Sequence, residues 1–553
     1  MTHPNLYKGI SSQVNDAVRR LISEVDRNPY SATYGCFDRR YWSWKLVDFP
    51  EATFQRNVHS LALLYSDQKS QHFRSPIIRV AIEAGLNYTA SLQHQDGSFD
   101  QAFPHERSFG ATAFLLHSLS EAFKIIESET DSQSQKRVER CLSQAAEFLC
   151  KHDERHGHIA NHLAGAALAL LNCADYFRES RYRQRAEVLL DLILKNQSPE
   201  GWFLEYEGAD PGYQTLCLYY LAQIYQKLRG QELKESLERA VKFIAYFVHP
   251  DGTFGGEYGS RRTAVFYPGG LALLSRGSTL ARSVTENMFR SISASSTVTL
   301  RDIDMGNLAP LLSNYVCALQ AGVLEKEENS ELMPWEQSKV TQDFSRAGLF
   351  VRGKDNYYAV FGASNGGVLK VFDKQKRQIL WDDSGYIGKL GDGTLVTTQI
   401  TKLNRSINLS EDEILLESDF YKALHLSPTP LRFVLLRLIN LSLMRSVRLG
   451  NMIKKRLVNL LISGKHPYAM SLKRKVRFEE RRVIVEDRLI KPSGDRVKWM
   501  DFGRKFVSIH MASAGYFEGW QADKFPSVPK LDVVRLNEEG HLDVRVVVEG
   551  TYA

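Results

Sequence analysis

The chain lacks most of the motifs that would commit it to a cofactor. Only six of its 553 residues are cysteines (Cys36, Cys141, Cys150, Cys173, Cys217 and Cys317), and no two form a CxxC pair. A disulfide framework or thiolate zinc site is therefore not expected, and these residues read as reduced core thiols inside apolar helix patterns. No GxxxxGK[ST] and no Rossmann glycine pattern opens a helix after a strand, so nucleotide-dependent chemistry has no support. The histidines show no HExxH spacing, and Asp302-Ile303-Asp304 is a lone DxD; neither a metal nor another cofactor is expected. Met1 to Arg20 is polar and amphipathic without the apolar core of a signal peptide, which places the protein in the cytoplasm as an expectation. The net charge of +7 is modest and does not suggest a nucleic-acid partner.

One further absence is local. From Tyr421 to Phe478 there is no Asp or Glu, while Arg432, Arg437, Arg445, Arg448, Lys454, Lys455 and Arg456 lie among Leu435, Leu438, Leu441 and Leu449. The apolar runs are too interrupted by charge to cross a bilayer. Two readings stand: a basic helical insertion packed on its own domain, or an interfacial segment making peripheral contact with an anionic inner membrane, with Arg437, Arg448 and Lys455 near one line of a helix.

What is present is repetition. Six times in the first 320 or so residues an apolar helical stretch runs into a glycine-bearing loop and then into a second apolar helix, a period of roughly 45 to 60 residues. The glycines are Gly35, Gly97, Gly157, Gly201, Gly252 and Gly306. Asp96-Gly97-Ser98-Phe99, Glu200-Gly201-Trp202-Phe203 and Asp251-Gly252-Thr253-Phe254 are plain copies; Tyr34-Gly35-Cys36-Phe37, Arg155-His156-Gly157-His158 and Asp304-Met305-Gly306-Asn307 are degenerate. The helices after the loops, such as Ala164-Gly165-Ala166-Ala167-Leu168, are apolar nearly all round and suit an inner ring; the amphipathic helices before the loops suit an outer one. This predicts an (α/α)6 toroid of helical hairpins over residues 1–322. The Asp-Gly-aromatic turns read as structural, with the aromatic plugging each hairpin.

Residues 323–344 read as a polar linker. Beyond it the period becomes two, in Gly348–Arg352, Tyr357–Phe361, Gly367–Phe372, Arg482–Glu486 and Leu542–Val548, so residues 345–553 are predicted to form an antiparallel β-sandwich with the basic apolar segment inserted at about 428–465.

Chemistry-bearing residues bunch in the loops and first turns of the inner helices, which ring closure would gather at one rim. Candidate substrate-binding residues are Arg39, Arg40, Trp42 and Trp44; His105 and Glu106; His158; Glu205, Glu207, Asp210 and Gln214; Tyr258, Arg261 and Arg262. Aromatic faces beside carboxylates and arginines suit a sugar with an acidic group. Asn161 and His162, at a helix start, and Tyr213 are candidate catalytic residues. Each has a structural alternative: Asn161 as a helix cap, Tyr213 as a core tyrosine, the arginine pairs as surface ion pairs.

Asn161-His162 together with Glu200 to Glu207 and Asp210-Pro211-Gly212-Tyr213-Gln214 resembles the heparinase II/III-like polysaccharide lyases. The resemblance implies a toroid followed by a β-sandwich, with Asn161 neutralising a uronate carboxylate, His162 as base and Tyr213 as acid or base. One departure is plain: the family commonly carries histidines in an early sandwich strand, some on a structural zinc, and Gly362 to Leu369 has none.

The expected function is C5 proton abstraction on a uronic-acid-containing glycan, by a lyase or a C5-epimerase, in exopolysaccharide or capsule metabolism, with an acidic polysaccharide or oligosaccharide as partner. A two-carboxylate hydrolase built from Glu205 or Glu207 with Asp210 or Glu257, and a non-catalytic glycan-binding or assembly protein, are the alternatives.

Overall fold

The computed structural model describes residues 3–155, 157–323, 331–423, 429–458, 464–509, 511–516 and 529–550. His156 of the third loop, the 324–330 part of the expected linker, and positions 428 and 459–463 of the expected insertion lie outside the described residues.

The first part is a ring of helices in two layers. In chain order these are α1 (His3–Glu24), a short α2 (Arg39–Trp42), α3 (Asn57–Ser66), α4 (Pro76–Leu92), α5 (Phe109–Ile126), α6 (Ser132–Lys151), α7 (Ala160–Phe177), α8 (Ser180–Lys195), α9 (Pro211–Leu228), α10 (Gln231–Ala245), α11 (Gly269–Leu274), α12 (Thr279–Ala294) and α13 (Met305–Gln320). The inner helices α3, α5, α7, α9, α11 and α13 each pack on the next, and α13 closes on α3. Eleven consecutive positions of α7 show the reason for its composition: Leu163 to Cys173 are all buried, and all but Asn172 are small or apolar. Outer helix α10 is amphipathic, burying Leu233, Leu237, Ala240 and Val241.

The plain turns are held by close backbone contact. At Gly97 (φ +90°) a Cβ would come 2.0 Å from the Gln144 carbonyl oxygen on α6, and at Gly201 (φ +96°) 2.2 Å from that of Arg239 on α10. The aromatics that follow, Phe99, Phe203 and Phe254, are buried, which is the plugging role expected of them. Two degenerate loops differ. Gly306 lies inside α13 and is not a loop glycine, because Asp304 caps the helix through the Gly306 and Asn307 N–H groups. At Gly157 a Cβ would meet nothing nearer than the Tyr206 ring at 3.7 Å, so this loop is not pressed onto a neighbouring helix.

Among the described residues the second part has thirteen strands: β1 (Val340–Phe344), β2 (Leu349–Gly353), β3 (Tyr357–Gly362), β4 (Val368–Asp373), β5 (Gln378–Asp383), β6 (Tyr386–Leu390), β7 (Leu395–Thr397), β8 (Ser406–Leu409), β9 (Glu413–Lys422), β10 (Pro467–Phe478), β11 (Arg482–Ile490), β12 (Val497–Phe502) and β13 (His541–Glu549), with helices α14 (Pro430–Leu441) and α15 (Val447–Val458) between β9 and β10 and α16 (Val533–Glu539) before β13. One sheet runs β1-β2-β3-β4-β5; the other runs β12-β6-β7-β9-β10-β11-β13, with β8 on β9. All pairings are antiparallel. Strand β1 begins at Val340, inside the segment expected to be linker.

The five-stranded sheet is a middle layer. Val351, Tyr358, Val360 and Phe372 join the toroid core, while Phe350, Tyr357, Ala359, Phe361 and Val371 join a second core beneath the eight-stranded sheet. Burial on both faces explains why β3 reads Tyr-Tyr-Ala-Val-Phe rather than alternating with polar residues. The junction is also polar. Tyr358 donates to the Tyr246 carbonyl (2.6 Å), Asn365 donates to the Glu257 and Gly259 carbonyls, and Lys370 on β4 pairs with Glu257 (2.8 Å) and Asp382 (3.2 Å), with Lys505 3.3 Å from Glu257. A buried ion cluster of this kind ties toroid to sandwich, because losing one member would leave another charge buried without compensation.

Candidate active site

Because every inner helix follows a rim loop, the inner helices begin at the same mouth, and their N-terminal ends favour negative charge there. At the start of α7 the Asn161 side-chain amide donates to both Glu205 carboxylate oxygens (2.8 and 2.9 Å), and the Asn161 backbone N–H donates to Glu205 Oε1 (3.1 Å). Glu205 is fully buried, and burial pushes its carboxyl above the usual range against the opposing pull of Arg261 and Asn161. The Asn161 amide is therefore engaged within the protein instead of standing open to the mouth. This position corrects the simple helix-cap alternative too, since Asn161 lies within α7 and its N-cap is Ile159.

His162, one residue on, places Nδ1 2.8 Å from Glu154 Oε2. Its ring lies edge-on to Phe114 at 5.3 Å and above Gly110, where a Cβ would come 2.6 Å from the ring. A carboxylate on one imidazole nitrogen fixes the ring and directs the other nitrogen. His162 Nε2 has no hydrogen-bond partner among the described residues. Glu154 was not singled out from the sequence; its spacing of eight residues from His162 across an irregular loop gives no periodic signal.

The neighbouring inner helix, α9, starts with Asp210 as its cap, which accepts from the Tyr213 N–H (2.9 Å) and the Arg261 N–H (2.8 Å). Tyr213 points its hydroxyl at Ser513 Oγ (2.7 Å). The Arg261 guanidinium lies over both the Tyr206 ring (4.3 Å) and the Tyr213 ring (4.5 Å), contacts Met511 Sδ (3.1 Å), and leaves Nη1 without a partner. Arg261 acts on the Glu205 carboxyl and stacks on both Tyr206 and Tyr213, and Asn161, next to His162, holds Glu205, so these groups form one cluster. His158 belongs to its edge, its carbonyl accepting from the Tyr206 N–H (3.1 Å), and burial lowers its imidazole pKa. A recess of about 30 Å³ is lined by Glu205, Tyr206, Glu207, Arg261 and Arg262.

Other expected site residues lie elsewhere. Gln214 is buried and ties loop to wall, accepting from the Phe203 N–H and donating to the Gly201 and Ala240 carbonyls. Tyr258 is fully buried and hydrogen-bonds His249 Nε2 (2.9 Å). Both corrections have one cause: a polar group following a repeat glycine can face the wall as readily as the mouth. Arg262 is turned to the sandwich, donating to the Ser260 carbonyl, the Gln399 carbonyl and Ser508 Oγ, and burial lowers its pKa to about 10. Arg40 is answered by Asp38 (3.0 Å) and Glu51 (3.3 Å). Arg39 lies over Trp42 at 5.1 Å, Trp42 donates to the Glu24 carbonyl, and Trp44 is 67% exposed; this group stands apart from the central cluster. His105 packs near His94 (5.6 Å between rings). Glu106 pairs with Lys454 (2.8 Å) and Glu207 with Lys465 (2.6 Å).

Two more groups escaped the sequence reading. Arg56, at the start of α3, stacks on Phe114 at 4.6 Å and reaches the Tyr220 hydroxyl (3.3 Å), with no carboxylate partner among the described residues. From the second domain, Tyr516 donates to Asp304 (2.6 Å) and Asn307 donates to the Ala512 carbonyl (3.2 Å), so residues 511–516 lie across the mouth. Among the described residues no group of three or more His, Cys, Asp or Glu is placed to hold a metal ion.

Comparison with known proteins agrees with this architecture. Residues 54–273 match the family model described as the ulvan lyase N-terminal domain. No curated protein matches the chain. A chondroitin AC lyase of Streptomyces coelicolor A3, solved with chondroitin sulphate, is similar with a TM-score of 0.54 at 10% identity, over 89% of this chain and 67% of that one. A Paenibacillus xanthan lyase is similar with a TM-score of 0.51 at 11% identity, over 89% of this chain. This chain spans only 46% of that lyase's length. These two similarities are of fold, across most of the chain, and the family match is confined to residues 54–273.

Proposed function

We propose that this protein acts on a uronate-containing acidic glycan by removing the C5 proton, with β-elimination as the outcome. The observation that carries the reading is the Glu154–His162 pair at the start of α7 together with the Arg261–Tyr213 stack at the start of α9, the neighbouring inner helix. The C5 proton is only weakly acidic, so the adjoining carboxylate must be neutralised as charge develops on it. Arg56 and Arg261 supply positive charge at the mouth. Asn161 has the part of holding Glu205 in place, which departs from the neutralising part that the family resemblance implies for it.

In the proposed step His162 Nε2 takes the C5 proton, with Glu154 stabilising the resulting imidazolium. The C5–H electron pair forms the C4–C5 double bond as the C4–O bond breaks, and Tyr213 protonates the departing oxygen. Ser513 must release the Tyr213 hydroxyl for this to occur. Return of the proton to the opposite face of C5, without loss of the C4 substituent, would make the same site an epimerase. The hydrolase alternative is less well supported, since it needs two carboxylates facing a cleft. Here Glu205 is held by Asn161, Asp210 caps α9, and Glu257 is bound by two lysines.

Incubation with a panel of uronic-acid polymers tests the proposal. Ultraviolet absorbance from a C4–C5 double bond supports elimination, and solvent deuterium at C5 without chain cleavage supports epimerisation. New reducing ends without unsaturation, or glycan binding with neither signal, would overturn the reading.

A further inference from the structure

The insertion between β9 and β10 has two faces of opposite character. Toward the toroid, Arg437 pairs with Asp48 (2.6 Å) and lies over Phe49 (5.2 Å), Lys454 pairs with Glu106, and Met444 and Asn440 are buried. Away from it, Leu431, Val434, Leu435, Leu438 and Leu441 recur at i, i+3, i+4, i+7 and i+10 along α14 and form one stripe. Nothing among the described residues covers it: Leu431 is 79% and Leu438 61% exposed. Leu449 and Met452 extend the apolar face onto α15. A stripe of large apolar side chains in continuous exposure marks an interaction surface and not ordinary solvent-facing protein.

Its surroundings are of one sign. Arg448, Lys455 and Arg456 are exposed on α15, and no acidic residue occurs from Tyr421 to Phe478. We infer that α14 and α15 dock the protein on an anionic lipid bilayer, with the leucine stripe in the headgroup–acyl boundary and the exposed arginines and lysines against lipid phosphates. The charge complement is the argument for lipid over a protein partner: a uniformly cationic collar fits a broad, uniformly anionic plane. At twelve residues, α14 is about 18 Å long, short of the ~30 Å hydrocarbon core, so it lies on the membrane without spanning it. No described helix is long and apolar enough to span one. The structure also revises which cations take part, because Arg437 is committed to Asp48 on the rim. Through Arg437 and Lys454, docking would hold the toroid mouth beside the bilayer. The inference is independent of the reaction, since vesicle binding requires no substrate.

Co-sedimentation of the full chain with vesicles of phosphatidylcholine, with and without phosphatidylglycerol, tests it. Binding is expected only with phosphatidylglycerol, falling at least ~10-fold in Leu435→Ser/Leu438→Ser and losing its lipid preference in Arg448→Glu/Lys455→Glu. All these side chains are exposed, and an unchanged melting curve confirms that the variants are folded. Absence of binding by the wild-type chain, or binding unchanged in both variants, overturns the inference. So does a concentration-dependent dimer that the leucine variant dissolves while vesicles are ignored, which would assign the face to a second copy of this chain.

Discussion

Asn161 and Glu205 are joined by three hydrogen bonds, two from the side-chain amide and one from the backbone N–H, with both residues buried. The pair links the start of α7 to the loop ahead of α9, the two segments that carry His162 and Tyr213. Asn161→Ala should strip a buried carboxyl of its two side-chain donors, leaving the backbone N–H, and lower stability by roughly 1–3 kcal/mol. Thermal or urea unfolding measures this directly, and a melting temperature within error of wild type would refute the bracing role.

For the His162 and Tyr213 assignment, His162→Ala and Tyr213→Phe should each reduce turnover on a uronate polymer by roughly 10²–10⁴-fold. Glu154→Gln should act through His162 and cost on the order of 10²-fold, with a shifted pH–rate profile that a purely structural role would not produce. Full activity in the two direct variants would remove both residues from the mechanism.

The Glu257 cluster predicts an acid limb in stability. Burial alone would raise the Glu257 carboxyl, but Lys370 and Lys505 override it and bring it to about 2. Its folded-state value lies below the unfolded one, so its stabilising contribution is present above the ordinary value of 4.5 and is lost as pH falls from there toward 2. Glu257→Gln should therefore flatten the decline in melting temperature across that window, and at pH 7 should cost about 3–5 kcal/mol by removing the carboxylate that pairs with both Lys370 and Lys505. Parallel acid titrations of wild type and variant, followed by circular dichroism, check both parts.

Gly97 and Gly306 look alike in the repeat and should respond differently. Gly97→Ala puts a Cβ 2.0 Å from the Gln144 carbonyl oxygen at φ +90° and should destabilise by at least ~1–3 kcal/mol. Gly306→Ala, within α13 and no closer than 3.0 Å to the Asp304 carboxylate, should be neutral or stabilising by about 1 kcal/mol. Equal effects in chemical denaturation would mean that the repeat, and not the local backbone, sets the cost.

The toroid was legible because its signals are local. A glycine turn, a buried aromatic and a 3.6-residue period all lie within one hairpin, and the hairpins at Gly97, Gly201 and Gly252 repeat them plainly. The strands β2, β3, β4, β11 and β13 were legible for the same reason. The site was legible only in part. Asn161, His162, Glu205, Asp210, Tyr213 and Arg261 were named from the loops and meet at one rim, but their partners Glu154, Met511 and Ser513 have no spacing that announces them. Gln214 and Tyr258 sit in similar loop positions to the residues that face the mouth, yet a rotation toward the wall gives each a buried hydrogen-bond partner.

Sequence by itself determined the order of domains and which residues are apolar, glycine or basic, since backbone propensity and hydrophobic period act over a few residues at a time. Tertiary structure decided orientation and pairing. It turned the basic insertion so that Arg437 and Lys454 meet Asp48 and Glu106 while its leucines stay exposed, buried the five-stranded sheet on both faces, and placed Glu154 against His162. Each of these depends on which surfaces meet across long separations in the chain, where burial energy and charge pairing act together and no short-range pattern records the outcome.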